Sequence, residues 1–100
     1  MTNKRQTTTI TTNTDTFLGV CGDDSATIKV NGTFDSATVI IKYLKEDGTL
    51  AAFNDTAATQ TSNFEVYGLF GAGTKIYLTT TGGGASLDID AVMTSLGQRR

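Results

Sequence analysis

The sequence predicts an all-β fold: a β-sandwich, jelly-roll or immunoglobulin-like, of about seven to eight short antiparallel strands with an extended N-terminal arm. Three observations lead there. The 100 residues include 20 Thr and 11 Gly but no Pro, a composition that favours pleated strands and tight turns. Short runs alternating between apolar and polar residues recur roughly every 8–12 residues between Gly, Asn and Asp clusters. No window places apolar residues at helical spacing between a cap and a stop.

Residues 1–16 are expected to form the arm, because Thr2 to Thr16 contain one aliphatic side chain, Ile10. Such a segment buries too little apolar surface to offset its own ordering entropy. Residues 17–96 are expected to form the sandwich, and residues 97–100 a short basic tail ending in Arg99 and Arg100.

Within the sandwich, Phe17-Leu18-Gly19-Val20-Cys21 is a short apolar run, its Phe17 expected in the core, closed by Gly22-Asp23-Asp24-Ser25. Ala26, Ile28 and Val30 alternate with Thr27 and Lys29, the period of a half-buried strand, and Asn31-Gly32 is expected to end it. Phe34 is placed to tuck back onto the core. Ala37 to Leu44 is the strongest β segment, with Ala37, Val39, Ile41 and Tyr43 on one face. Ile40 and Leu44 on the other face point to a central strand covered on both sides. Lys45-Glu46-Asp47-Gly48 is a hairpin turn, since Gly takes positive φ without steric cost, and Thr49 to Phe53 is its return strand.

Asn54 to Asn63 reads as a loop or weak edge strand. Phe64 to Tyr67 and Lys75 to Thr79 read as strands, separated by the glycine-rich stretch Gly68 to Gly73. After the flexible turn Thr80 to Gly84, Leu87, Ile89, Ala91 and Met93 point inward, with Asp88 and Asp90 outward.

The residues that are absent restrict the chemistry. Without His there is no Ser-His-Asp triad, no Cys-His pair and no imidazole base near neutral pH. The single Cys, Cys21, is expected in the core and forms no intrachain disulfide. Asp23-Asp24 and Asp88-x-Asp90 lack the ligand count of a calcium loop, and neither glycine stretch leads into a helix as a phosphate loop must. No enzyme activity and no cofactor are therefore expected. A net charge of −2 with basic pairs only at the two ends gives no reason to expect nucleic-acid binding. The longest purely apolar run, Val39-Ile40-Ile41, is far short of a membrane span, and no leader follows Met1, so synthesis in the cytoplasm is expected. Surface contact remains. Thr side chains are short, stiff and able to donate and accept, which suits polar interfaces, so Lys4, Arg5, Thr7, Thr8, Thr9, Ile10, Thr11 and Thr12 are the candidate partner-interface residues.

The run Val30-Asn31-Gly32-Thr33-Phe34-Asp35-Ser36-Ala37-Thr38-Val39-Ile40-Ile41-Lys42-Tyr43 followed by Asp47-Gly48 resembles small β-sandwich structural proteins of tailed bacteriophages. Phe64-Glu65-Val66, Gly73-Thr74-Lys75-Ile76-Tyr77-Leu78, Gly82-Gly83-Gly84 and Leu87-Asp88-Ile89 extend the likeness over residues 26–93. Phe53 stands where that pattern often carries Trp, a departure. The resemblance implies a virion protein, a capsid decoration (cement) protein or a head–tail or tail accessory protein. Its implied partners are the major capsid protein or another virion protein, and further copies of itself, a trimer favoured, bracing neighbours through the arm. A glycan-binding module on a phage appendage is the other expectation, and it requires tyrosines exposed together on one face.

Overall fold

A computed structural model describes residues 3–22, 24–53 and 59–96, and of Asn3, Lys4 and Leu96 the backbone only. The predicted tail 97–100, Asp23 and residues 54–58 of the Thr-rich loop lie outside the described residues.

Nine strands are present and no helix among the described residues. They are β1 (Asn3–Ile10), β2 (Asp15–Val20), β3 (Ser25–Thr33), β4 (Thr38–Leu44), β5 (Leu50–Ala52), β6 (Thr59–Gln60), β7 (Phe64–Leu69), β8 (Lys75–Thr81) and β9 (Asp88–Leu96). One sheet runs β1-β9-β3-β7, and the other β2-β8-β4-β5 with β6 also on β4. All pairs are antiparallel; β1 on β9, β2 on β8, β3 on β7, and β4 on β5 and β6 are nested, and β3–β9 and β4–β8 join them into the two sheets. Only β4 and β5 are consecutive partners. That nesting is a jelly roll, whereas an immunoglobulin sandwich pairs consecutive strands in several hairpins.

The core lies between the two sheets, and period-two alternation builds it. Ala26, Ile28 and Val30 of β3 meet Ile89, Ala91 and Met93 of β9 in one sheet, facing Val39 and Ile41 of β4 and Ile76 and Leu78 of β8 in the other, all at 0–2% exposure. Cys21 is buried with them. Thr80 is the exception: it is buried, and its Oγ1 has no hydrogen-bond partner. An unpaired buried hydroxyl carries a desolvation cost, so Thr80→Val, which keeps the shape, is expected to raise stability by about 1 kcal/mol in urea unfolding.

The arm predicted for residues 1–16 is in large part a strand of the sandwich. β1 pairs with β9 over eight residues, from Asn3 opposite Leu96 to Ile10 opposite Ile89, and Ile10 is buried in the core. Its threonines need no hydrophobic signal, because the ladder supplies the backbone bonds and Ile10 supplies the anchor.

Three further expectations are corrected. Asn31-Gly32 does not end β3, which continues to Thr33; Gly32 sits at φ 138° against the backbone of Asp88 and Ile89. Phe17 is 46% exposed rather than buried, because a bulge between Phe17 and Gly19 makes Leu18 the inward residue. No element of the described chain covers the outer face of β4, where Ile40 and Leu44 are half-buried.

The run from Val30 to Tyr43 forms the crossing from one sheet to the other. Phe34 is buried, Asp35 and Ser36 form a turn with φ 50° and 71°, and Ala37 N–H donates to the Phe34 carbonyl at 2.9 Å. Ala37 and Val39 then enter the core at 0% exposure.

Candidate functional site

Alternation along β1 divides the predicted interface residues. Arg5, Thr7 and Thr9 are exposed on the outer face of the first sheet, while Thr8 is half-buried and Ile10 buried on the inner side. Thr11 and Thr12 are exposed in the loop that follows β1. Register across the sheet aligns Arg5 with Thr94, Thr27 and Tyr67, and Thr7 with Val92, Lys29 and Glu65. A shallow polar depression of about 400 Å³ lies among Arg5, Thr27, Lys29, Glu65 and Thr94. Thr9 Oγ1 donates to the Asp90 carboxylate at 2.8 Å, and Tyr67 Oη donates to Ser25 Oγ at 3.0 Å. The face is a mixed-sign lattice of short hydroxyls and long charged chains.

The two lateral seams of the sandwich differ. On the β1–β2 side the Gln6 amide mimics a strand: its Nε2 donates to the Val20 carbonyl at 2.8 Å and its Oε1 accepts from Val20 N–H at 2.7 Å. Gly19 makes room for this, since a Cβ there would overlap the Gln6 side chain. Gly19→Ala is accordingly expected to expel Gln6 and cost about 1–2 kcal/mol of stability, read as a lower thermal midpoint, with Gln6→Ala giving a similar loss.

On the opposite side, by β7, the seam is open. Tyr43, Phe53, Leu69 and Phe70 line an apolar groove of about 240 Å³, with the Phe53 and Phe70 rings 4.5 Å apart. Leu69 is 74% exposed and Tyr67 66%, the largest values among the described bulky apolar residues. The spacing of the apolar residues does not single this groove out, although it contains a signal. With Val66 inward, alternation forces Glu65, Tyr67 and Leu69 outward.

The outer face of the second sheet holds Phe17 edge-on to Tyr77, ring centroids 5.3 Å apart. The three tyrosines therefore occupy three places: Tyr67 on one outer face, Tyr77 on the other, and Tyr43 at the groove.

The loops at one end are pinned by side chains. Asn13 Nδ2 donates to the Gly83 carbonyl at 2.9 Å and its Oδ1 accepts from Gly83 N–H at 2.8 Å. Asp35 Oδ2 accepts from Ser86 N–H at 2.9 Å. At the β4–β5 turn the Thr49 hydroxyl, and less strongly its N–H, donate to the Asp47 carboxylate and hold its pKa below the ordinary value. These bonds therefore tighten the turn above the usual carboxylate range, and acid loosens it as pH falls through the lowered pKa. Asp88 and Asp90 are solvent-facing, and the described residues hold no group of three or more His, Cys, Asp and Glu arranged to bind a metal. No described helix is long and apolar enough to cross a membrane. Comparison with family models, with curated proteins and with solved structures returns no match.

Proposed function

We propose that this chain is a non-enzymatic virion structural protein, a capsid decoration (cement) protein of a tailed phage that binds the outer shell and self-associates there. The observation that carries the reading is the outer face of the first sheet. There Arg5, Thr7 and Thr9 stand in register with Thr94, Val92 and Asp90 and, beyond them, with Thr27, Lys29 and Asn31, a broad, stiff, largely polar surface suited to packing against another protein. The jelly-roll topology is compatible with it by analogy, since the architecture recurs in capsid domains. It also recurs in lectins and cupins, so topology alone decides nothing. A head–tail or tail accessory role draws on the same face and differs in where the protein sits. The glycan-binding alternative loses its main requirement, because Tyr43, Tyr67 and Tyr77 do not share a face.

The test is cosedimentation of the purified protein with expanded capsid shells of the parental phage. Saturable binding that is lost in a Thr7→Lys, Thr9→Lys variant with an unchanged thermal midpoint is the expected result. Absence of the protein from both shells and tails overturns the reading.

A further inference from the structure

The four sheet edges of this sandwich are not equally protected. β2 is bulged at Leu18, and Gln6 caps its Val20 backbone. At the far edge of the same sheet, β5 and β6 are only three and two residues long. β1 carries the adjacent basic pair Lys4-Arg5, charges of the kind that discourage indiscriminate pairing at an edge. β7 has none of these devices. Its six residues pair with β3 without a bulge, and it contains neither Pro nor Lys. It also presents Tyr67 and Leu69 to solvent beside the aromatic groove. Among the described residues no strand pairs with its outer edge, and natural sheets seldom leave such an edge bare.

We propose that β7 accepts β1 of a second copy of this chain as its next strand, so that copies join head to tail into a closed ring. The inference deepens the self-association in the proposed function and rests on that part of it, not on capsid binding. Strand direction permits the pairing. Neighbours in the β1-β9-β3-β7 sheet are antiparallel throughout, so its two outer strands run in opposite directions and an identically oriented copy continues the alternation.

Charge and register favour β1 as the occupant. The only charge on β7 is Glu65, and β1 brings Lys4 and Arg5 with no acid. Arg5 and Tyr67 lie in one row across the sheet, as do Thr7 and Glu65. A closed ring allows no shift along its axis, so with that axis along the strands Arg5 of the next copy falls beside Tyr67 and diagonal to Glu65. A guanidinium is attracted to a tyrosine ring and to a diagonal carboxylate. Pairing of β1 with β1 would instead offer the guanidinium neither an aromatic ring nor a carboxylate, since β1 holds none.

Sedimentation equilibrium and a charge swap test this. Because a head-to-tail contact closes only with three or more copies, the expected mass is at least three times the 10.5 kDa chain. Arg5→Glu and Glu65→Arg singly are expected to raise the midpoint concentration of assembly by about tenfold, and the double swap to restore it. Both side chains are exposed, so the thermal midpoint of the diluted monomer serves as the control for folding and should fall by no more than the small cost of setting Glu65→Arg opposite Lys29. A monomer, a dimer, or a double swap without rescue overturns the proposal. Shell binding by a protein that stays monomeric sinks the ring and leaves decoration standing; a ring that binds no shell does the reverse.

Discussion

A chain lacking residues 1–10 is expected to lose its cooperative thermal transition, because β1 is a working strand of the sandwich. Its removal takes away an eight-residue ladder on β9 and exposes the inner side of Ile89, Ala91 and Met93 along that edge. It also removes buried Ile10, whose loss alone matches a large-to-small core substitution of about 2–5 kcal/mol. The Gln6 seal on Val20 goes too, opening the second lateral seam. A domain of this size has total stability of about 5–15 kcal/mol, so losses on this scale are decisive. Circular dichroism on heating checks this. A sharp transition near that of the intact chain would mean that β1 is dispensable, and would return the segment to the role of an arm. A capsid-binding defect in such a truncation would therefore report lost folding before lost contact.

Gly32→Ala is expected to cost about 3 kcal/mol in urea unfolding, from two additive sources. At φ 138° a side chain is strained wherever it points, worth about 1–3 kcal/mol. A Cβ there would also press on the Asp88 carbonyl oxygen and lie 2.9 Å from Ile89 Cα, atoms of the paired strand β9 that cannot swing aside. Gly48 separates the two sources. It has φ 88°, and a Cβ added there would meet nothing within 4 Å, so Gly48→Ala should cost only about 1–2 kcal/mol. Equal losses at the two positions would show that the contact with β9 contributes nothing.

Much of the sandwich is legible in the sequence wherever alternation is strong. Ala26, Ile28 and Val30, Val39 and Ile41, and Ile89, Ala91 and Met93 all occupy the inward positions their spacing implies. The Asp47-Gly48 hairpin forms between β4 and β5, with Lys45 N–H donating to the Thr49 carbonyl at 2.8 Å. Two kinds of feature are not legible. One is pairing between distant segments: β1 has little apolar content of its own, and its partner lies at the other end of the chain. The other is local irregularity. The bulge at Leu18 reverses which of two adjacent apolar residues is buried, and Gly32 resembles punctuation while serving as a point of close approach. Of the candidate surface, Arg5, Thr7 and Thr9 do stand together. Thr8 and Ile10 do not join them, since a strand sends alternate residues to opposite faces.

The nested pairing has a kinetic consequence. Only β4 and β5 can zip up locally; β3 waits for β7, β2 for β8, and β1 for β9. During synthesis β1 has no partner until β9 begins to leave the ribosome, so the outer layers of the nest close last. Topologies dominated by such distant pairings fold on the millisecond-to-second scale, against microseconds for local ones. Until that closure the threonines of β1 are helpful in a way that valines would not be. They keep a strand-forming segment polar and hydrated while it waits, which limits its chance of sticking to another nascent chain.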